Sequence, residues 1–343
     1  MIRRRGVEAT LLLVLVGLLG LPAAMIASVS VGAADIDLAV VWRALLSAAP
    51  RGGAADTPAP ELVEDYTIIR TVRLPRVLMA ALVGAALATA GAIMQAMTRN
   101  PLAGPTIMGL NSGAAFAVVA VFAAAPALSY NGLVAVSFAG AALGAGLSFG
   151  ITYLSPGGQR PAKLAVAGAA VTALLESLTR GLVVYLELGQ DVLFYTAGGV
   201  QGVGWEQLRL AAPWILAGLA IALGTAANYT VLNLGDAVAI GVGQRVRLLR
   251  TVGTLTVLLL AGASVAVAGG VGFVGLAVPH ITRFLVGPDY RRVLPGAVLI
   301  GATLVVLADL GARMVNPPYE TPVGLITALV GVPLFLYLAR SKA

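Results

Sequence analysis

The stretch RLPRVLMAALVGAALATAGAIMQAMTRNPLAGPTIMGLNSGAA, residues 73–115, decides the fold class. It carries no charged residue over 77–98, which is long enough to cross a bilayer because about 20 apolar residues suffice. Pro75 can begin a helix, since the N–H that proline lacks has no partner in a first turn. Small residues recur near four-residue spacing over 84–92 and let helix backbones approach closely. The stretch predicts a closely packed transmembrane helix that ends before Asn100-Pro101.

The whole chain has the composition of this stretch. Of 343 residues, 59% are hydrophobic and only 11% are charged. A soluble protein could not hide so much apolar surface, so we predict an all-α polytopic membrane protein embedded in a lipid bilayer. The absence of cysteine and the presence of a single histidine, His280, exclude a disulfide framework, a cysteine-rich zinc site and an iron–sulfur cluster. We expect the chain to bind no metal or cofactor of its own and His280 to be a hydrogen-bonded structural residue.

About ten apolar runs are long enough, or nearly long enough, to be transmembrane helices. They lie near residues 9–31, 75–97, 109–126, 131–154, 163–187, 207–232, 249–269, 273–287, 294–315 and 321–339. The eighth is too short to cross alone unless it is tilted or has a broken neighbour. The first could be a signal peptide cleaved within 28–34, but its apolar run is longer than usual for one, which favours a retained helix.

The basic residues set the orientation. The excess of 22 Lys+Arg over 15 Asp+Glu lies in the short breaks between apolar runs, as topology signals do, and indicates no nucleic-acid partner. With the N-terminus inside and ten alternating helices, most basic residues fall inside. They are Arg3, Arg4, Arg5, Arg99, Arg160, Lys163, Arg245, Arg247, Arg250, Arg291, Arg292, Arg340 and Lys342. Both termini are therefore predicted to be cytoplasmic, and the long break at 32–74 to lie outside.

Enzyme classes find little support in the sequence. A P-loop needs Gly-Lys followed by Ser or Thr, but Lys163 follows Ala162 and Lys342 follows Ser341. The Asn-Leu-Gly-Asp sequence that ends at Asp236 lacks the first glycine of an intramembrane aspartyl protease motif. We therefore predict that the chain is not an enzyme.

Charges inside the apolar runs leave two interpretations open. Buried membrane charges are usually functional, so Glu176, Arg180 and Asp309 could belong to an ion-coupled secondary transporter that acts without an ATPase. Alternatively, Glu176 with Arg180, and Asp309 with Arg313, are four residues apart on one helix face and neutralise each other. Gln95 is expected to hold two helices together by a hydrogen bond.

Residues 73–115 and 269–335 resemble the permease subunits of type II ABC importers for iron–siderophores, haem and cobalamin, the FecCD family. The matching features are Arg-Leu-Pro-Arg at 73–76, Gln95, Arg99 to Ala103, Pro105, Gly109, Gly113, Phe273 to Leu276, Pro279-His280, Pro295, Asp309, Arg313, Glu320 and Pro322 to Gly324. The resemblance covers nearly all of the chain after residue 66.

This resemblance implies a single transmembrane permease domain over 1–343, with about ten helices and an inverted repeat. Its parts would be a first helix and outer loop (1–74), a first repeat (75–187), a segment with the sixth helix and a coupling loop (188–248) and a second repeat (249–339). Two permease chains, identical or different, would form the pore, and two cytoplasmic ABC ATPases would bind the ATP. An extracytoplasmic binding protein would deliver the cargo, and transport would follow alternating access.

The resemblance also suggests a cargo and a location. A ferric siderophore ranks first, haem second and cobalamin third, and the membrane would be the bacterial inner membrane. For docking of the binding protein it implies Arg73, Arg76 and Arg313, although these side chains could instead only anchor helix ends at the headgroups. The pathway or gate candidates are Glu176, Arg180, Tyr195, Gly198 and Gly199.

The short stretch NLGDAVAIGVGQRVRLLR, residues 233–250, is implied to contain the coupling helix that contacts the ATPase. Asp236 could cap it and Gly241 could end it in a left-handed turn, leaving about one helical turn between them. Arg245, Arg247 and Arg250 either anchor the seventh helix or form salt bridges to the ATPase. The coupling residues are predicted to be Gly235, Asp236, Ala237, Ala239 and Gly241, with Ala239 facing a close groove.

Overall fold

Apolar helices surround one buried helix in this protein. The computed structural model describes residues 2–31, 36–46, 60–105, 109–124, 128–155, 161–187, 198–316 and 319–340, and these contain helices and no strand. The helices are α1 (Ile2–Ser30), α2 (Leu38–Leu46), α3 (Pro60–Thr67), a π-helical turn (Ile68–Arg73), α4 (Leu74–Thr98), α5 (Leu110–Ala124), α6 (Tyr130–Leu154), α7 (Pro161–Tyr185), α8 (Trp205–Gly224), α9 (Ala226–Asn233), α10 (Asp236–Gly241), α11 (Val246–Ala268), α12 (Val274–Val286), α13 (Tyr290–Met314) and α14 (Val323–Arg340).

Among the described residues, seven helical stretches are long and apolar enough to cross a membrane, and three shorter apolar helices accompany them. The shorter helices are α5, α12 and α14. Each predicted span overlaps one of these elements, so the all-helical membrane class is confirmed. The exact number of crossings stays a prediction.

Two predicted boundaries were wrong. The sixth span, expected over 207–232, is broken at Thr225, whose hydroxyl donates to the carbonyls of Ile221 and Ala222. The second helical rod begins at Pro60 instead of Pro75, because a π-helical turn joins α3 to α4 and Leu74 donates its N–H to the Ile69 carbonyl. This wider turn directly precedes Pro75, which has no backbone N–H to donate.

Helix α4 is the central element. Every residue from 83 to 97 is buried. A Cβ added to Gly84 would lie 2.1 Å from the Gly301 carbonyl oxygen of α13, and one added to Gly91 would lie 1.8 Å from the Gly275 oxygen of α12. The predicted close approach through small residues is therefore confirmed at these two glycines.

Helix α1 lies at the edge of the bundle and runs parallel to α13. Leu13 lies beside Gly296, Gly17 beside Leu299, and Arg313 donates to Ser28 further along both helices. Both helices therefore begin on the same side of the membrane. Little of the apolar part of α1 is buried, as expected for a helix that faces lipid.

Replacing Gly91 by valine should destabilise the protein, because the added carbons would overlap the α12 backbone. Overpacking costs about 1–3 kcal/mol, and a shift in melting temperature of several degrees is expected in detergent. Gly146→Val is the matched control, since no atom lies within 4 Å of a Cβ added there. Equal melting temperatures for the two variants would contradict the α4–α12 contact.

Candidate functional site

A buried ion cluster lies where α4 begins and α13 ends. Arg76 contacts Asp309 through Nη2 to Oδ1 at 2.9 Å and through Nε to both carboxylate oxygens at 3.1 Å. Its Nη1 contacts Glu320 Oε1 at 2.6 Å. The Asp309 side chain is 0% exposed and that of Glu320 is 39% exposed. Glu320 thus closes the cluster at its more accessible side.

The other two predicted docking arginines hold the end of α1. Arg73 Nη1 donates to the carbonyls of Val29 and Ser30 at 2.6 and 2.9 Å. Arg313 Nη2 donates to the Ser28 carbonyl at 2.9 Å. The last carbonyls of a helix have no intrahelical donor, so these two guanidiniums satisfy groups that would otherwise be costly to bury.

The structure corrects one expectation about this end and adds a partner to another. Arg73, Arg76 and Arg313 do lie together, but contacts within the chain bury Arg73 and Arg76 and leave Arg313 only partly accessible. They are therefore not three free outward-facing cations. The predicted pairing of Asp309 with Arg313 is confirmed, with Arg313 Nε 3.4 Å from Oδ2, but Arg76 is the stronger partner because it approaches both carboxylate oxygens.

At the opposite end, α10 differs from its predicted form. Its N-cap is Gly235, with φ 124°, and Asp236 is its first residue without a side-chain cap. The Asp236 carboxylate instead accepts two hydrogen bonds of 2.9 Å from Arg250 Nη2. The left-handed residue after the helix is Gly243, with φ 82°, and not Gly241.

The exposed side of α10 is also different from the predicted one. Ala239 is 0% exposed and faces the interior of this chain, so it cannot face a partner's groove. On α10 and its C-cap residue, the exposed apolar side chains are Val238 at 46%, Ile240 at 64% and Val242 at 67%. Ala237 and Gly241 are exposed beside them. Arg250 pairs within the chain, whereas Arg245 and Arg247 are exposed.

The pathway candidates are not assembled into one site by the described residues. Glu176 and Arg180 pair on α7 at 3.6 Å and are both largely exposed, so the predicted pairing is confirmed. Gly198 is buried with φ 74°, and Gly199 donates its N–H to the Ala268 carbonyl at 2.8 Å. These two glycines therefore pack against the end of α11. Tyr195 lies outside the described residues.

Two other residues named in the sequence analysis lie within the helix bundle. Gln95 donates its side-chain amide to the carbonyls of Gly275 and Leu276 at 3.4 and 3.3 Å, as predicted for a residue that joins two helices. His280 lies partly buried on α12. Within the ranges described, no group of three or more His, Asp or Glu side chains could hold a metal ion.

Sequence reasoning missed the contact that joins α9 to α13. Thr230 donates its hydroxyl to Asp289 Oδ1 at 2.9 Å and accepts the backbone N–H of Tyr290 at 2.9 Å. Asp289 also caps α13 by accepting from the Arg291 N–H. An aspartate just before an apolar helix was a usable capping signal, but nothing local indicated Thr230 as its partner.

The fold and its two polar ends define a multi-pass membrane permease. A sequence model of the FecCD transport family matches residues 18–341, and the chain belongs to this family, whose members are ABC transporter permease subunits and not enzymes themselves.

Named relatives agree with this assignment. The chain is 49% identical to the iron(3+)-hydroxamate import system permease protein FhuB of Bacillus subtilis, over 92% of this chain and 79% of the relative. It is 48% identical to the Fe(3+)-citrate import system permease protein YfmD of the same organism, over 81% of this chain and 82% of that protein. A solved structure described as an inward-facing metal-chelate type ABC transporter has a TM-score of 0.78 at 27% identity and covers 95% of this chain and 97% of its own.

Neutralising the buried aspartate should destabilise the chain far more than neutralising its neighbour. Asp309→Asn leaves Arg76 buried without its main counter-charge, and breaking a buried pair in this way costs about 3–5 kcal/mol. Glu320→Gln, at a half-exposed position, should cost about 1 kcal/mol or less. Thermal unfolding of both variants in detergent measures the difference, and equal losses would contradict the cluster described above.

Proposed function

We propose that this chain imports a ferric chelate as the membrane subunit of an ATP-driven transporter in the bacterial inner membrane. The observation that carries the proposal is the family match together with the two relatives whose names specify ferric hydroxamate and ferric citrate. These names support a ferric siderophore as the first candidate cargo, ahead of haem and then cobalamin. The chain supplies the passage and no chemistry, and ATP would be bound by partner chains.

The proposed partners are a second permease chain, two cytoplasmic ABC ATPases and an extracytoplasmic binding protein. Exposed apolar residues next to a charged loop mark a protein interface, and Val238, Ile240 and Val242 form such a surface on α10. The Asp236–Arg250 pair holds this short helix against α11, which matters because one helical turn is not stable alone. We assign this surface, instead of Ala239, to the ATPase contact.

Docking of the binding protein at the other end stays part of the proposal, in a modified form. Glu320 occupies Arg76 on the accessible side, so a carboxylate from a partner would reach that guanidinium only by replacing Glu320. Both termini are proposed to be cytoplasmic, which places this cluster outside and α10 inside. Glu320, the accessible member of the cluster, is then within reach of an extracytoplasmic partner.

Alternating access is supported by the way α13 joins the two ends. Asp289 at its start contacts Thr230 of α9, which is followed directly by α10, and Asp309 near its end contacts Arg76. A movement of α10 on the ATPase would therefore be transmitted along α13 to the opposite membrane face. Such a physical link couples the two ends only when each end has two alternative conformations. An inverted repeat agrees with the order of helix lengths, since long α4 and long α11 are each followed by a short apolar helix.

The alternative of an ion-coupled secondary transporter has less support. It would need carboxylates free to bind and release an ion within the membrane. Asp309 is held by Arg76, and Glu176 is largely exposed and paired with Arg180. The family match also favours the ATP-driven class.

Placing a charge on α10 should prevent assembly with the ATPase without unfolding the permease. Ile240→Asp puts a carboxylate in an apolar interface but stays exposed in the isolated chain, so the melting temperature should be unchanged while co-purification of a co-expressed ABC ATPase falls at least about tenfold. Leu154→Asp, at the end of α6 and 82% exposed, is the control. Wild-type recovery of the ATPase with Ile240→Asp would remove the assignment of α10.

The cargo and the energy source can be tested together. In proteoliposomes that contain the permease with its ATPase and binding protein, we expect uptake of a ferric hydroxamate to require ATP and to persist when ion gradients are collapsed. Titration of the binding protein with ferric hydroxamate, ferric citrate, haem and cobalamin ranks the cargoes. Uptake by the permease alone, driven by a proton or sodium gradient, would support the secondary transporter instead.

A further inference from the structure

An apolar groove lies between α1 and α13, beside the end of α12. It has a volume of about 500 Å³, within the range of about 300–1,000 Å³ that is typical of ligand pockets. Leu285 of α12 contributes at one edge. The main lining residues are Leu12, Val16, Gly20, Leu299, Thr303 and Leu307.

The residues that line this groove offer no unsatisfied polar group to a ligand. Its one hydroxyl, on Thr303, already donates to the Leu299 carbonyl at 2.9 Å. Leu12 and Val16 are more than half exposed, and both helices belong to the spans that are long and apolar enough to cross the bilayer. The groove therefore opens towards lipid hydrocarbon, and its occupant must be apolar along this length.

The groove has a basic end. Positions 292, 296, 299, 303 and 307 follow one stripe of α13, so Arg292 is on the stripe that lines the groove. No carboxylate among the described residues pairs with Arg292. Because α1 runs parallel to α13, the N-terminal end of α1 lies at the same membrane face as Arg292.

The part of the groove nearer Arg292 lies within one leaflet of a bilayer. At 1.5 Å per residue, Leu299 and Leu307 lie about 10 and 22 Å from the level of Arg292. Half of a hydrocarbon core is about 15 Å thick, so a chain that starts below a headgroup at Arg292 reaches the groove. We propose that this groove binds one acyl chain of an anionic phospholipid, with the headgroup phosphate near Arg292.

Gly20 offers a way to fill the groove without disturbing the protein, since no atom lies within 4 Å of a Cβ added there. The test is native mass spectrometry of the full chain in detergent, with phosphatidylglycerol or phosphatidylcholine added in equal amounts. The wild type should retain one phosphatidylglycerol in preference to phosphatidylcholine. Gly20→Phe should retain about tenfold less phosphatidylglycerol. The phenyl ring would displace part of the acyl chain, and the loss of about two buried CH₂ groups corresponds to a tenfold change in affinity. Gly146→Phe, at an equally open glycine of α6, should behave as the wild type.

A second variant tests whether Arg292 binds the lipid headgroup. It also allows the proposal to be tested if Gly20→Phe fails to fold. Arg292→Gln should lower the preference for phosphatidylglycerol about fivefold, since one basic residue near anionic lipid contributes about 1 kcal/mol. Equal retention of both lipids by the wild type, or unchanged retention by Gly20→Phe or Arg292→Gln, would overturn the proposal. So would a change of oligomeric mass in Gly20→Phe, which would mean that a second copy of this chain covers the groove.

Discussion

Backbone contact between α4 and its neighbours is the constraint on which the rest of the structure depends. In lipid, apolar helices gain nothing by leaving the hydrocarbon, so their association relies on close packing at small residues. Gly84 meets Gly301, and this contact sets the antiparallel register of α4 and α13. Arg76 precedes Gly84 by as many residues as Asp309 follows Gly301. The glycine contact therefore determines which charges meet at the membrane face, and the ion pair follows from the packing.

Helix α13 contributes residues to the polar contacts at both ends of the molecule. Near its C-terminus it carries Asp309 and Arg313, and the latter also holds the last carbonyls of α1. At its N-terminus, Asp289 and the Tyr290 N–H bind the hydroxyl of Thr230 on α9, one short step from α10. The positions of the two candidate partner surfaces are therefore not independent, because one rigid element helps to fix both.

The sequence was sufficient to locate the apolar helices but not to predict which residues of different helices contact each other. Hydrophobic length located each span because the bilayer imposes that length on every helix separately. The pairing of Asp309 with Arg313 was predicted and is confirmed, but its stronger partner Arg76 was missed, since spacing on one helix reveals only local neighbours and Arg76 is distant in sequence. The predicted direction of Ala239 was wrong, because one helical turn contains too few residues to show which face is apolar. The break at Thr225 lacked a nearby signal, since no proline or charge lies between Trp214 and Leu232.

The buried cluster around Arg76 is not explained by stability. Burying an ion pair costs desolvation, and replacing it with apolar residues is often neutral or stabilising. Register does not require it either, since the Gly84–Gly301 contact already aligns the two helices. Apolar residues in place of Arg76 and Asp309 would lose the contact with Glu320, the third member of the cluster. The Glu320 carboxylate joins the buried pair to the accessible surface. A partner that exchanges its own carboxylate for that of Glu320 would act on Arg76 and, through Asp309, on α13, so the proposed docking of a binding protein would account for retaining this costly cluster.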